Sequence, residues 1–226
     1  MIILVGGEKG GSGKSTLACN LAAMLNTFNS VCLIDTDIQQ SASQWASYRA
    51  ADKTLKPVDH MAMYGMSISQ QLVNEKFLNK WDIFVIDAGG RDSVELRAAM
   101  SVADLIIIPI RASQPDFNTL AKMNSLLEQA LVSRPAYMNP LYNLVILTQL
   151  IPTASLIDLP IYWEYIEQES KYLHTHRHVT YHRIDYQRSF TYGKSVIEYN
   201  KHSKANPAIC NILACVERFL TTGVIT

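Results

Sequence analysis

The 226-residue chain has no net charge: 20 Lys and Arg balance 20 Asp and Glu. A neutral chain sets up no global field to draw in nucleic acid or membrane, so any such surface has to be local. Cysteine is scarce. The four present (Cys19, Cys32, Cys210, Cys215) lack metal-ligand spacing. Cys19 and Cys32 fall in core-forming segments, as small buried residues of a reducing cytoplasm do. No apolar run approaches the roughly 18 residues of a membrane-spanning helix, and the start does not read as a secretory leader. No linker, internal repeat or low-complexity stretch divides the chain. One domain over residues 1–226 is expected. No helix-turn-helix extension is expected ahead of Lys9, so the chain should not read an operator by itself.

Of only ten glycines, three stand in one eight-residue segment, Lys9-Gly10-Gly11-Ser12-Gly13-Lys14-Ser15-Thr16. The apolar run Ile2-Ile3-Leu4-Val5 before it reads as a buried strand, and an apolar-periodic helix, Leu17 to Phe28, follows. Strand, Gly-rich turn and helix make a phosphate-binding loop. Its glycines let backbone N–H groups turn inward around phosphate oxygens, and the helix N-terminus adds positive charge. Gly10 to Thr16 are therefore expected to bind nucleotide. Within them, Lys14 reaches the terminal phosphates and the Ser15 hydroxyl ligates Mg²⁺.

Further apolar runs alternate with helical segments: Val31–Asp35, Ile83–Asp87, Leu105–Pro109 and Leu144–Leu147. Weaker helices are expected between Ile38 and about Leu78. Others are expected near Val94 to Met100, from a cap at Asp116 to about Val132, and from about Ala154 to Leu173. This pattern predicts an α/β fold, a doubly wound, mostly parallel sheet with helices on both faces. Ligands of such sheets sit at the carboxyl ends of the strands. Asp87 closes one strand and is placed to hold Mg²⁺. Asp35 and Asp37 close another; Asp37 orients the attacking water or completes the Mg²⁺ shell, while Asp35 braces the loop. Gln149 joins the nucleotide-binding set.

Lys-Gly-Gly-x-Gly-Lys-Ser with its extra front lysine resembles the deviant Walker A loop of the ParA/MinD ATPases. Asp35-Thr36-Asp37-Ile38-Gln39, the strand Trp81 to Asp87, and Asp104–Pro109 with Ser113-Gln114-Pro115-Asp116-Phe117 are similar to other segments of small plasmid-type ParA proteins. So are Arg183, Arg188 and Gly193-Lys194-Ser195-Val196. Ile38 replaces the usual proline, and Ala88-Gly89-Gly90 replaces a more common Pro-containing switch. The resemblance implies a slow, partner-stimulated ATPase with ATP and Mg²⁺ as cofactors. It gives Lys9 a catalytic role beside Lys14 and Asp37, reaching the phosphates of a second copy in an ATP-dependent homodimer.

Between Lys171 and Lys204 seven Lys/Arg face only Asp185 and Glu198. Interleaved tyrosines suggest a phosphate-backbone surface without base readout, with Arg183, Arg188, Lys194 and Lys204 as DNA-binding candidates. A solvated basic face is the bland alternative. His174, His176 and His178 on a strand would share one face, but no carboxylate or cysteine accompanies them. The apolar face of Pro207 to Leu220 lacks a basic flank and reads as packed on the sheet, so no membrane partner is expected. The first functional expectation is a cytoplasmic, nucleoid-associated ATPase that partitions DNA with a ParB-type, centromere-binding partner. The alternative is a MinD-like ATPase positioning a protein or membrane cargo. A third is a metabolic enzyme such as dethiobiotin synthetase.

Overall fold

The computed structural model describes residues 1–77, 80–152, 155–169 and 171–223. The first half runs β1 (Ile2–Val5), α1 (Lys14–Leu25), β2 (Val31–Asp35), α2 (Ser41–Ala51), β3 (Asp59–Ala62), α3 (Ile68–Phe77), β4 (Ile83–Asp87) and α4 (Val94–Val102). The second runs β5 (Leu105–Arg111), α5 (Gln114–Phe117), α6 (Leu120–Ser133), β6 (Tyr142–Leu150), α7 (Ser155–Gln168), β7 (Thr175–Tyr181), α8 (Ile184–Thr191), α9 (Val196–Tyr199) and α10 (Asn206–Thr222). The strands form one seven-stranded sheet in the order β3-β2-β4-β1-β5-β6-β7, and every pairing is parallel. The expected doubly wound α/β architecture, a parallel sheet flanked by helices, is what the structure has.

Alternation along β1 shows why the central strands β2, β4, β1 and β5 are apolar almost throughout. Ile2 and Leu4 face a core shared with Leu72, Leu96, Met100, Leu126 and Ile166. Ile3 and Val5 face a second core with Leu21, Trp45, Ile209, Val216 and Phe219. Both faces are covered, so apolar residues are favoured on either side of these strands. Parallel register then brings the strand ends level: Asp87 pairs with Val5 on one side and Asp35 on the other. At the edge, β7 carries a bulge, with Arg177 at φ 50°; Val145 pairs with Thr175 and Ile146 with His178.

Several expected boundaries move. The first helix starts at Lys14 and ends at Leu25, leaving Phe28 exposed, because Gly13 turns the chain into the helix at φ 90°. The short β3 was not anticipated; as an edge strand it is mostly exposed and lacks an apolar run. Asp116 does not cap the long helix. It lies inside α5, and α6 starts separately after Thr119. Of the helix expected from about Ala154, Ala154 lies outside the described residues, and α7 stops at Gln168. His174 precedes β7 and the bulge breaks the alternation, so the three-histidine face does not form; the His176 side chain lies outside the described part. Among the described residues no three or more His, Cys, Asp or Glu gather as a metal cluster.

Candidate nucleotide site

β1 delivers the chain into the Gly-rich loop, where Gly11 (φ 76°) and Gly13 (φ 90°) adopt left-handed conformations that favour glycine. Thr148, near the end of β6, donates its hydroxyl to the Ser12 carbonyl at 2.8 Å. Gln149 donates from Nε2 to the Gly11 carbonyl at 2.6 Å. Its own backbone is left-handed, at φ 57°. Two neighbouring side chains of β6 therefore hold the loop from behind. Gln149 was expected at the site; Thr148 was missed, and its one sequence signal is a polar residue after a fully apolar strand.

Lys14 is buried and donates from Nζ to the Lys9 carbonyl at 2.7 Å. Burial lowers its pKa, while Asp87, Asp37 and Asp116 pull the other way. Lys9 is half-buried, its Nζ donating to the Pro115 carbonyl at 3.4 Å.

The acidic side of the site comes from β2 and β4. Asp35 accepts from the backbone N–H groups of Asp37 (3.0 Å) and Ser43 (2.8 Å), so its carboxylate is engaged in shaping the loop. Asp37 accepts from the Gln39 N–H at 3.0 Å through Oδ1, and its Oδ2 lies toward Gly89. Asp87 is fully buried, and neither carboxylate oxygen has a hydrogen-bond partner among the described residues. Burial pushes its carboxyl up to about 7; the Ser15 hydroxyl, nearby but outside hydrogen-bonding geometry, pulls it down and Asp35 adds repulsion. A buried carboxylate without partners, next to a hydroxyl and a second carboxylate, fits a hard divalent cation with oxygen ligands.

The switch that follows sits on the phosphate loop. A Cβ on Gly90 would lie 2.6 Å from Gly10 Cα and 3.1 Å from Lys14 Nζ. Glycine at 90 thus permits a close approach that a side chain would block.

A cavity of about 400 Å³ opens in front of Gly10–Leu17, Asp37 and Gln149. Its far wall was not anticipated: Thr180 to Arg183, Tyr186, Gln187 and Ile209, from β7, α8 and α10. The structure places the four DNA-binding candidates differently from one another. Arg183 lines this cavity, with its guanidinium 5.6 Å from the Tyr181 ring centre. Lys194 is ion-paired with Asp52 at 3.7 Å. Arg188, in the last turn of α8, and Lys204, ahead of α10, are exposed.

The Gly193–Val196 segment is a joint. A Cβ on Gly193 would lie 2.2 Å from the Arg49 backbone nitrogen. Trp45 donates to the Lys194 carbonyl, and the Val196 N–H donates to Asn20. Buried Arg49 makes a two-pronged pair with Glu198, both contacts at 2.8 Å.

A family model described as ATPase MipZ matches residues 1–141. The chain belongs to the MipZ ATPase family. It is 31% identical over 126 residues to a maintenance of carboxysome distribution protein A from Gloeobacter kilaueensis. That match takes in 53% of this chain and about half, 53%, of the relative. In three dimensions it resembles a chain of the MinC:MinD cell division protein complex of Aquifex aeolicus, at TM-score 0.74 and 17% identity, over 96% of this chain and 95% of that one. It also resembles a plasmid partition protein of Borrelia burgdorferi bound to AMPPNP, at TM-score 0.64 and 21% identity, over 94% and 98%.

Proposed function

We propose that the chain is an Mg²⁺-dependent ATPase that positions a protein assembly through a dimer formed on ATP. The observation that carries the chemistry is the phosphate loop facing buried, unpartnered Asp87, with Lys9 at its front. In this reading Gly10 to Thr16 cradle the phosphates, and Lys14 moves from the Lys9 carbonyl to the terminal phosphates. Ser15 and Asp87, with Asp37 alongside, would hold Mg²⁺, which neutralises charge on the phosphoryl group. Asp37 orients the attacking water.

Lys9 rests on a long, half-exposed contact to Pro115, and releasing such a bond costs on the order of 1 kcal/mol. It is thus free to supply charge to the phosphates of a second copy. A partner protein stimulates hydrolysis and resets the dimer, and one domain spanning 1–226 carries the whole cycle. The carboxysome-distribution relative favours a protein cargo.

Partition of DNA with a ParB-type partner is the second reading, favoured by exposed Arg188 and Lys204. Arg183 and Lys194 support it less, since one lines the cavity and the other is paired. A membrane cargo has little support. The apolar face of α10 is buried through Ile209, Ile212, Val216 and Phe219, and no described helix is long and apolar enough to cross a membrane.

ATP turnover with and without DNA, together with DNA binding across a salt series, separates the readings. Protein positioning without direct DNA contact predicts no salt-sensitive DNA binding. ATP-only, salt-steep binding that flattens in Arg188→Ala or Lys204→Ala would favour partition.

A further inference from the structure

Arg111 ends β5, and its side chain lies against the front of the phosphate loop. Asp116, fully buried, holds it. Arg111 donates from Nε to Asp116 Oδ1 at 3.2 Å and from Nη2 to Oδ2 at 3.1 Å. The Arg111 backbone N–H (3.3 Å) and the Ser113 hydroxyl (2.7 Å) complete the anchor. Burial would raise the Asp116 carboxyl, but these donors outweigh it and hold it below the usual range.

One edge of the guanidinium is therefore fixed. The other turns toward the loop: Nη1 lies 3.8 Å from where a Cβ on Gly11 would stand. Arg111 and Lys9 line a second cleft of about 370 Å³ together with Tyr162 and Ile151. Gln149 borders both this cleft and the nucleotide cavity, so the two adjoin at the phosphate loop. Arg111 is also close enough to lower the Lys14 pKa. Three cations thus crowd a helix N-terminus that already favours negative charge. A guanidinium held by one edge offers its second to a phosphate, which a lysine cannot do while still gripping Asp116.

We propose that Arg111 is a nucleotide-sensing residue: Asp116 anchors one edge, and the other contacts the phosphate chain of a nucleoside triphosphate at the mouth of the loop. The inference rests on the ATPase reading above. That phosphate belongs either to the chain's own nucleotide or to that of a second copy, and the experiment separates the two.

Affinities for ATPγS and ADP are measured by calorimetry at concentrations where the wild-type protein stays monomeric. Dimerisation on ATPγS is measured by sedimentation. Wild type, Arg111→Ala and Arg111→Lys are compared, with melts to establish folding; Arg111→Lys retains a charge for Asp116 and decides the matter if Arg111→Ala does not fold. Both variants are expected to keep ADP affinity within about twofold and to lose about tenfold toward the triphosphate. A loss seen in the monomer assigns the phosphate to the same chain. A loss seen only in dimerisation assigns it to the second copy. Unchanged triphosphate affinity and dimerisation, or equal losses toward ATPγS and ADP, would overturn the inference and leave the ATPase reading standing. Wild-type protein that binds neither nucleotide would overturn both.

Discussion

Two stretches of this chain carry lysines and glycines in suggestive spacing, and the structure uses them in opposite ways. Gly10–Thr16 lines a cavity, and the nearby Asp87 carboxylate is left without a partner among the described residues. In Gly193–Glu198 nearly every polar group is tied to another element: Lys194 to Asp52 and Trp45, Glu198 to Arg49 and Ser195, Val196 to Asn20. The first stretch stores electrostatic strain that a ligand can relieve. The second holds the C-terminal helices against α1 and α2. A Gly-Lys-Ser spacing points to chemistry only when its groups remain available.

The largest effect should come from Asp87. Its carboxyl titrates near 7 in the folded chain against 3.8 as an ordinary aspartate. The unfolded chain releases this proton first, so stability falls as pH rises from about 4 to 7 and the full cost remains above 7. A rise of that size corresponds to about 4 kcal/mol. Asp87→Asn should therefore stabilise the nucleotide-free protein at pH 8, flatten its melting profile across that window, and lose Mg²⁺-dependent ATP turnover. Denaturant melts from pH 4 to 8 measure this. A variant no more stable than wild type would erase the contrast on the active side.

Next is Glu198→Ala, which strands buried Arg49 and should cost about 3 kcal/mol. In the protein that remains folded, nucleotide affinity should stay within a few-fold of wild type, as calorimetry would reveal. A selective loss of nucleotide binding with unchanged stability would mean the joint is itself a site.

Smallest is Lys204→Ala. An exposed cation should change stability by no more than about 0.5 kcal/mol and leave ATP turnover unaltered. Its one predicted signature, if the DNA reading holds, is a flatter salt dependence of DNA binding.

Much of the site was legible because its signals are local. Val31–Asp35 and Ile83–Asp87 match their strands residue for residue, since an apolar run ending in aspartate needs no knowledge of the rest of the fold. The phosphate loop is equally self-contained. What was not legible depends on contacts distant in sequence. Glu198 meets Arg49 across 149 positions, and Thr148 meets Ser12 across 136. Nothing near Arg183 says that β7 ends beside the phosphate loop. Asp116 reads as a helix cap because aspartate before a helix usually is one, whereas here its carboxylate holds Arg111.

In the proposed cycle ATP gates a dimer through Lys9. Sedimentation of wild type and Lys9→Ala with ATP, ADP and no nucleotide tests it most directly. The expected result is a wild-type dimer with ATP alone, and a Lys9→Ala protein that melts normally yet stays monomeric or fails to hydrolyse. A Lys9→Ala protein that dimerises and turns over ATP like wild type would contradict it.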